Sequence, residues 1–416
     1  MSGWRGPGRY GLEVHGHSHS HDRHRWLHFP LNRTGRLLGI ILLVALVVTI
    51  VGMVLLWPRE DIDAPASLAP AGVDRVKVTV IEVEETACTG APPDSPAQCV
   101  SVRFDAPDGN AAALQLTPSV STPEIEAGDR ILVADQGDLV EEQFRFFFLD
   151  FQRERSLTVL FLMFGLAVII LGRLQGVRSL LALALSFVVL ATFTLPALLE
   201  TDSPVLVAIA GSAAVAIITL FLTHGLSHLT SVALLGSLVS LAITGFLAWI
   251  FVGATSLTGL SDENALLLVF GNEEIQLQGV LLAGMIIGTI GVLDDVTVTQ
   301  AAAVEEIHEA DPRMRPRQLY LSALRVGRDH IGSTTNTLFF AYAGAALPML
   351  LLFTQAELSL STVVTSEIVA IEVVRALVGG IGLVCSVPIT TGLAAWVVRE
   401  RQRSLDVPDV ATPAID

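Results

Sequence analysis

The chain has 416 residues, of which 52% are hydrophobic and only 16% are charged, and its formal net charge is −16. It contains repeated apolar runs of twenty or more residues, the length that crosses a lipid bilayer. This composition excludes a soluble enzyme and predicts a mainly α-helical membrane protein whose first partner is the bilayer.

The first 36 residues form a segment rich in Gly, Arg and His with almost no apolar periodicity. No core can form from such a composition, so the segment is predicted to be a disordered cytoplasmic tail. Alternating histidines can bind Zn, Ni or Cu. A metal-handling or sensing tail is therefore one hypothesis, with a solvated polar tail as the other. The candidate metal ligands are His15, His17, His19 and His21.

About eight membrane-spanning helices are predicted, each bounded by charges, Pro or Gly. They lie at about 37–57, 156–174, 177–199, 204–224, 227–252, 279–303, 331–354 and 366–397. The chain then divides into a first transmembrane helix at 37–57, an extracytoplasmic domain at 58–155, a seven-helix membrane domain at 156–398 and a cytoplasmic tail at 399–416.

The distribution of basic residues predicts the orientation. Sixteen of the 25 fall where a model with eight spans and the N-terminus inside places cytoplasm. The short outside loops at 200–203, 253–278 and 355–365 contain none. Both termini are therefore predicted to be cytoplasmic, in a multi-pass protein of the cell inner (plasma) membrane.

Between the first and second spans the pattern changes to short alternating runs at 76–83, 99–104, 113–116 and 130–133. Alternation with Pro, Gly and Asp between the runs predicts strands, and the length suits a small all-β domain, a barrel or an OB-like fold. Cys88 and Cys99 bracket a turn-rich stretch on the side of the membrane where disulfides persist, so a bridge is predicted. The Phe-rich run at 144–148 is expected to seat the domain on the membrane, a partner site being the alternative.

Two adjacent carboxylates, Asp294 and Asp295, lie within the apolar sixth span. A charged Asp at the centre of a membrane helix costs roughly 2.5–3.5 kcal/mol on insertion scales, and such residues usually face a protein interior or a water cavity. Desolvation and mutual repulsion both oppose ionisation, which is what a proton relay requires. Cation binding and a purely structural carboxylate are the alternatives.

Polar residues at a similar predicted depth form the expected shell of this site. They lie on the sixth and seventh spans and are Thr297, Thr299, Ser333, Asn336 and Thr337. In the eighth span Glu372 and Arg375, three residues apart, are expected to form a neutralising pair that is structural or serves as an outer gate. No Walker loop, nucleophile elbow or paired zinc-type cysteine motif is present. No enzymatic activity, cofactor or nucleic-acid partner is predicted.

The region from about 156 to 397 resembles the YibE/F-like membrane proteins. The motifs that carry the resemblance are Arg173-Leu-Gln-Gly176, Gly288-Thr-Ile-Gly291-Val-Leu-Asp294-Asp295, Glu305 and Glu306, the segment from Gly327 to Asn336-Thr337-Leu338, and Glu372 with Arg375 and Pro388. The resemblance implies a multi-pass membrane fold and little chemistry.

A weaker similarity links the Asp-Asp helix to the proton-relay helix of resistance-nodulation-division (RND) exporters and of SecDF translocation motors. Those proteins pair two halves of six spans, whereas eight spans without a duplicated half are predicted here. A homodimer could supply the second half.

The sequence thus predicts a proton-coupled secondary transporter or exporter with the Asp pair as its protonation site. Its substrate would be an unidentified small molecule, ion or polypeptide. The alternatives are an RND- or SecDF-like energy-coupled accessory protein for translocation or envelope assembly, and a non-transporting structural membrane subunit.

Overall fold

A computed structural model describes residues 27–28, 33–59, 73–88, 98–106, 109–119, 122–137, 145–261, 263–271, 275–355 and 359–405. Its helices are α1 (Arg33–Leu55), α2 (Glu154–Val189), α3 (Leu195–Glu200), α4 (Pro204–His224), α5 (His228–Ala254), α6 (Glu263–Gly271), α7 (Leu277–Ala310), α8 (Pro316–Ala345), α9 (Leu347–Gln355), α10 (Leu360–Thr365) and α11 (Glu367–Leu405). A π-helical turn, Leu190–Thr194, joins α2 to α3.

Several of these helices are long and apolar enough to cross a membrane. Within the described ranges six qualify: Gly35–Leu55, Glu154–Glu200, Pro204–His224, His228–Ala254, Leu277–Ala310 and Glu367–Gln402. A seventh is formed if α8 and α9, bent by 61° at their junction, count as one span. The chain is therefore a multi-pass membrane protein.

The segment Glu154–Glu200 does not run straight. Arg173 has φ 50° and ψ −130°, a backbone conformation outside the helical region. A Cβ added to Gly176 would lie 2.9 Å from the carbonyl carbon of Val168. Residues eight apart in one regular helix are separated by about 12 Å along its axis. The chain therefore folds back on itself at Arg173, between the stretches predicted as the second and third spans.

Residues between α1 and α2 form a small antiparallel sheet. Its strands are β2 (Asp74–Ala87), β3 (Gln98–Asp105), β4 (Ala111–Leu116), β5 (Arg130–Asp135) and β6 (Phe146–Phe151), in the spatial order β4-β3-β2-β5-β6. The first half of β2 pairs with β5 and its second half with β3, with an irregularity between Val80 and Glu82. The two outer strands, β4 and β6, lie next to each other, so the sheet curls around its core.

The core of this β domain is built from alternate residues of the strands, including the fully buried Phe104 and Ile131. Phe146 is also buried, and its ring meets Phe104 edge-on at 5.3 Å between centroids. The expectation that the Phe-rich run seats the domain on the membrane is therefore wrong for Phe146. Phe147, at 39% exposed, points outward, and Phe144 lies outside the described residues.

The β domain continues into α2 through only two residues, Gln152 and Arg153. The Gln152 side-chain amide donates to the Ile131 carbonyl at 2.7 Å, and Arg153 forms an ion pair with Asp150 at 2.7 Å. Lys77 of β2 also forms an ion pair with Glu154, the first residue of α2. These contacts tie the sheet to the first turn of α2.

The centre of the bundle consists of α5, α7 and α11, each packed against the other two. Helix α4 packs on α7, and α8 packs on both α11 and α7. The helices approach one another closely at glycines, because glycine has no side chain. A Cβ on Gly379 of α11 would lie 2.7 Å from Thr289 Cγ2 of α7, and one on Gly327 of α8 would lie 2.6 Å from Gln300 Oε1. Such small-residue contacts are typical of helix pairs in membranes.

On the far side of the bundle from the sheet, Leu27–His28 (β1) pairs in parallel with Leu226–Ser227 (β7) in the turn between α4 and α5. Gly225, with φ 80°, ends α4 at this turn. The two residues of β1 belong to the segment predicted as a disordered tail. The rest of that segment up to residue 26, including the four candidate metal-ligand histidines, lies outside the described residues.

Candidate functional site

The two adjacent carboxylates of α7 point into different surroundings. Asp294 is half-buried against α4 and α5, whereas Asp295 is exposed on the surface of the bundle. Consecutive residues of a helix project about 100° apart, which is the physical reason for the separation. The pair predicted from the sequence is therefore one inward carboxylate and one outward carboxylate.

Thr219 of α4 is the hydrogen-bond partner of the inward carboxylate. Its Oγ1 lies 2.6 Å from Asp294 Oδ2 and 2.9 Å from the backbone oxygen of Val215. A hydroxyl has one proton to donate and also accepts. When Asp294 is ionised, Thr219 can donate to it. When Asp294 is protonated, its own O–H can donate to Thr219, which then donates to Val215. One hydroxyl therefore satisfies both protonation states.

Two more hydroxyls surround the same carboxyl group. Ser237 of α5 faces it, and the Ser237 Oγ atom lies 2.8 Å from Thr297 Oγ1. Thr297, fully buried, also donates to the Asp294 backbone oxygen at 3.2 Å. Asp294 Oδ1 is buried and has no hydrogen-bond partner among the described residues. The site thus leaves one carboxylate oxygen with capacity for a proton or a ligand.

A second polar layer lies about two turns further along α7. Gln300, almost fully buried, donates through Nε2 to Thr391 Oγ1 of α11 at 2.7 Å and to the Ala323 carbonyl of α8 at 2.9 Å. Thr390, also fully buried, packs against Gly236 of α5. The polar interior therefore continues from Asp294 between α5, α7, α8 and α11.

The seventh-span residues expected around the Asp pair are not beside Asp294. Gly327 of α8 contacts Gln300. Ser333 follows Gly327 by six residues and Asp294 precedes Gln300 by six, so Ser333 and Asp294 lie at similar depth along the antiparallel helices. The side chains of Ser333, Asn336 and Thr337 are nevertheless exposed, as is that of Thr299 on α7. Of the predicted shell, Thr297 alone contacts Asp294 within the described chain.

Glu372 and Arg375 of α11 form an ion pair, with 2.6 Å between Arg375 Nη1 and Glu372 Oε1. The Arg375 guanidinium also lies over the Tyr342 ring of α8, 5.8 Å from its centroid. The hydroxyl of Tyr342 lies 3.1 Å from the position of a Cβ on Gly288. This cluster links the N-terminal half of α7, the C-terminal half of α8 and the N-terminal half of α11. Its arginine is paired with Glu372 rather than with Asp294.

A further ionic cluster joins the other ends of the core helices. Glu305 of α7 lies 3.3 Å from His228 of α5 and 3.1 Å from Arg401 of α11. The sequence pattern did not bring these residues together, because they are spread over 173 positions. Their common signal was weak: each is a polar residue in the last or first turns of an otherwise apolar helix.

Two cavities lie at the ends of the bundle. The larger, about 630 Å³, is lined by Asp202, Ser203, Pro204, Val205, Leu206, Trp249, Gln276, Leu277, Gln278, Gly279 and Leu282. The smaller, about 300 Å³, lies between the start of α8 and the ends of α7 and α11. Neither is lined by Asp294. Leu282, the lining residue of the larger cavity nearest to Asp294 along α7, is about 18 Å from it along that helix.

The predicted disulfide is present in the β domain, between Cys88 and Cys99. It connects the end of β2 to the start of β3, strands that already pair there. Cys385, in α11, is a free thiol. Within the described ranges no group of three or more His, Cys, Asp or Glu residues is arranged to hold a metal ion.

A bundle of apolar helices, a carboxylate in a polar interior layer and a β domain inserted after the first helix define the chain as a multi-pass membrane protein with a candidate intramembrane site. The model of the YibE/F-like proteins matches residues 160–400. The chain belongs to this family. No curated protein and no solved structure matches the chain, so the weaker similarity to RND exporters and SecDF rests on the sequence motif alone.

Proposed function

We propose that the protein is a proton-coupled secondary transporter or exporter in which Asp294 binds and releases the coupling proton. The observation that carries the proposal is the position of Asp294, a carboxylate inside an apolar helix whose neighbour Thr219 can serve it in both protonation states. A carboxylate at such a position is costly unless it has partners and is usually functional.

The proposed topology has eight spans with both termini in the cytoplasm. The reversal at Arg173 supports counting Glu154–Glu200 as two spans, and α8 with α9 supplies one more. The β domain then lies outside the cytoplasm. Its strand order, with β2 shared by both halves of the sheet and the outer strands adjacent, supports an OB-like barrel.

In this topology His224, at the cytoplasmic end of α4, lies within electrostatic reach of the outward carboxylate Asp295. Protons would therefore exchange with the cytoplasm on the side of Asp295 and His224. The larger cavity opens at the other end of α4 and α7 and is the candidate substrate vestibule. Helix α7 would move relative to α5 and α11 across their glycine contacts, which permit close sliding.

A second candidate function is an energy-coupled accessory protein that uses proton movement to work on a partner outside the cytoplasm. The two-residue connection between the β domain and α2 favours it, because motion of the helix would be transmitted to the domain. Tight packing around Gln300 and the distance between the larger cavity and Asp294 also favour it over a wide transport path.

The proposal is tested by profiling metabolites and metals in cells with and without the gene, followed by flux of the compounds that change in proteoliposomes under an imposed pH gradient. We expect Asp294→Asn to abolish gradient-driven flux while folding is kept, since the amide preserves size but cannot titrate. Glu309→Gln, which removes an exposed carboxylate from the same helix, is the matched control.

Full gradient-driven flux in Asp294→Asn would refute the relay. The accessory function would be favoured instead if Asp294→Asn caused the same envelope defect as loss of the gene, while the wild-type protein transported no compound.

A further inference from the structure

Helix α8 presents a polar stripe on the outside of the bundle. Its members are Arg325, Asp329, Ser333 and Asn336, all exposed. Their spacing of four, four and three residues places them on one face of a helix. The opposite face, with the buried Leu319, Ala323 and Leu338, packs on α7 and α11. The stripe is thus the side of α8 that no other described element covers.

The stripe is too polar to face lipid along its whole length. Helix α8 is not apolar enough to cross a membrane alone and qualifies only together with α9. Ser333 and Asn336 lie about 9–14 Å beyond Gly327 along the helix, at and past the depth of Asp294. Polar side chains at this depth usually face protein or water rather than hydrocarbon.

We propose that a second copy of this chain covers the stripe, with the α8 helices of the two copies side by side. Copies inserted in the same orientation are related by a two-fold axis normal to the membrane, so the two helices run parallel and equal residues meet at equal depth. The charges at the cytoplasmic end of the stripe suit this arrangement. Arg325 and Arg328 lie within one turn of Asp329, and each copy therefore offers cations to the other's carboxylate.

Within its own chain Asp329 has no ion-pair partner among the described residues, although two arginines are close in sequence. Across the two-fold axis Asn336 meets its counterpart, and paired amides can donate to and accept from each other. Self-complementarity of charges and amides identifies the occupant as a second copy rather than an unrelated helix.

The inference rests on the exposed polar and charged side chains of α8 and stands whether or not Asp294 carries a proton.

The test is cysteine cross-linking in native membranes, in a Cys385→Ala background that keeps the disulfide of the β domain. Asn336→Cys should cross-link to a species of twice the monomer mass. Val239→Cys is the control: Val239 is 45% exposed, and it lies two residues from Ser237, at about the depth of Asp294, on α5 rather than α8. It should remain monomeric.

Charge reversal gives an independent readout. Asp329→Arg should raise the dissociation constant of the purified dimer by at least about tenfold, because the carboxylates that balance Arg325 and Arg328 of the other copy are then lost and only cations remain at this level. The double variant Arg325→Asp/Asp329→Arg should restore dimerisation, since both reciprocal pairs invert together. A well-folded wild-type protein that is monomeric in the membrane, or a cross-link of Asn336→Cys to a different polypeptide only, would overturn the inference.

Discussion

Replacing Gly327 with Ala should destabilise the protein, and the structure indicates by how much. The new Cβ would lie 2.5 Å from Val387 Cγ1 and 2.6 Å from Gln300 Oε1, against an ordinary contact distance of at least 3.4 Å. Val387 is fully buried, and Gln300 is held by hydrogen bonds to Thr391 and to the Ala323 carbonyl. Neither side chain can move aside without losing packing contacts or hydrogen bonds.

Overpacking of a dense core costs about 1–3 kcal/mol. Displacing Gln300 would put two hydrogen bonds at risk, each worth about 0.5–1.5 kcal/mol. Replacing a glycine in a helix interior with alanine stabilises the helix by at most about 1 kcal/mol. The overlap therefore outweighs this gain, with a net loss of about 1–5 kcal/mol, the upper end applying if both hydrogen bonds are lost. For a chain of 416 residues, whose entropy of unfolding is about 0.9 kcal/mol/K, that lowers the melting temperature by about 1–6 °C.

The assay is thermal unfolding of the purified protein in detergent. Gly332→Ala is the matched control, since Gly332 is on the same helix and a Cβ there meets nothing within 4 Å. Adding Val387→Ala to Gly327→Ala should cost less than the sum of the two single changes, because the smaller side chain relieves the overlap. Equal melting temperatures for Gly327→Ala and Gly332→Ala would show that α8 does not pack on Gln300 as described.

Three further outcomes are expected. Asp135→Asn should destabilise the β domain near neutral pH by about 1–2 kcal/mol, because hydrogen bonds from Arg145 hold the pKa of Asp135 below its usual value. That contribution is present above a pH of about 4 and lost as the pH falls further; proteolytic susceptibility that differs equally at all pH values would contradict it. Reducing the Cys88–Cys99 disulfide should lower stability by about 2–3 kcal/mol, read from urea unfolding of the β domain in the full chain. Deleting residues 1–30 should leave insertion and orientation unchanged in a protease-accessibility assay, since most of the basic residues on the proposed cytoplasmic side remain to set the topology; a truncated protein that fails to insert would refute this.

Strand periodicity in the sequence predicted the sheet well, because alternation of apolar and polar residues follows directly from which face is buried. Four of its five strands lie on the predicted runs. The fifth, Phe146–Phe151, was missed because its aromatic residues do not alternate with polar ones. Its place in the sheet is set by pairing with β5, which depends on contacts distant in sequence.

The sequence predicted how far along each helix the residues of the candidate site lie, but not which side of the helix turns toward the site. Counting residues placed Ser333 level with Asp294, and the contact between Gly327 and Gln300 agrees with that level. Which face of each helix turns inward is decided by packing among α5, α7, α8 and α11. Thr219 and Ser237, the groups that contact or face Asp294, were not singled out because isolated hydroxyls are common in apolar helices and often bond their own backbone.

The junction between the β domain and α2 is short and is held by contacts on both sides. Gln152 donates a hydrogen bond to the Ile131 carbonyl, and Lys77 forms an ion pair with Glu154. Because the domain is expected to move with α2, a small tilt of the helix would displace the far edge of the sheet by a larger distance. A pair of spectroscopic labels on that edge would magnify helix movements too small to measure inside the bilayer. The domain is therefore the natural place from which to observe how the membrane helices move.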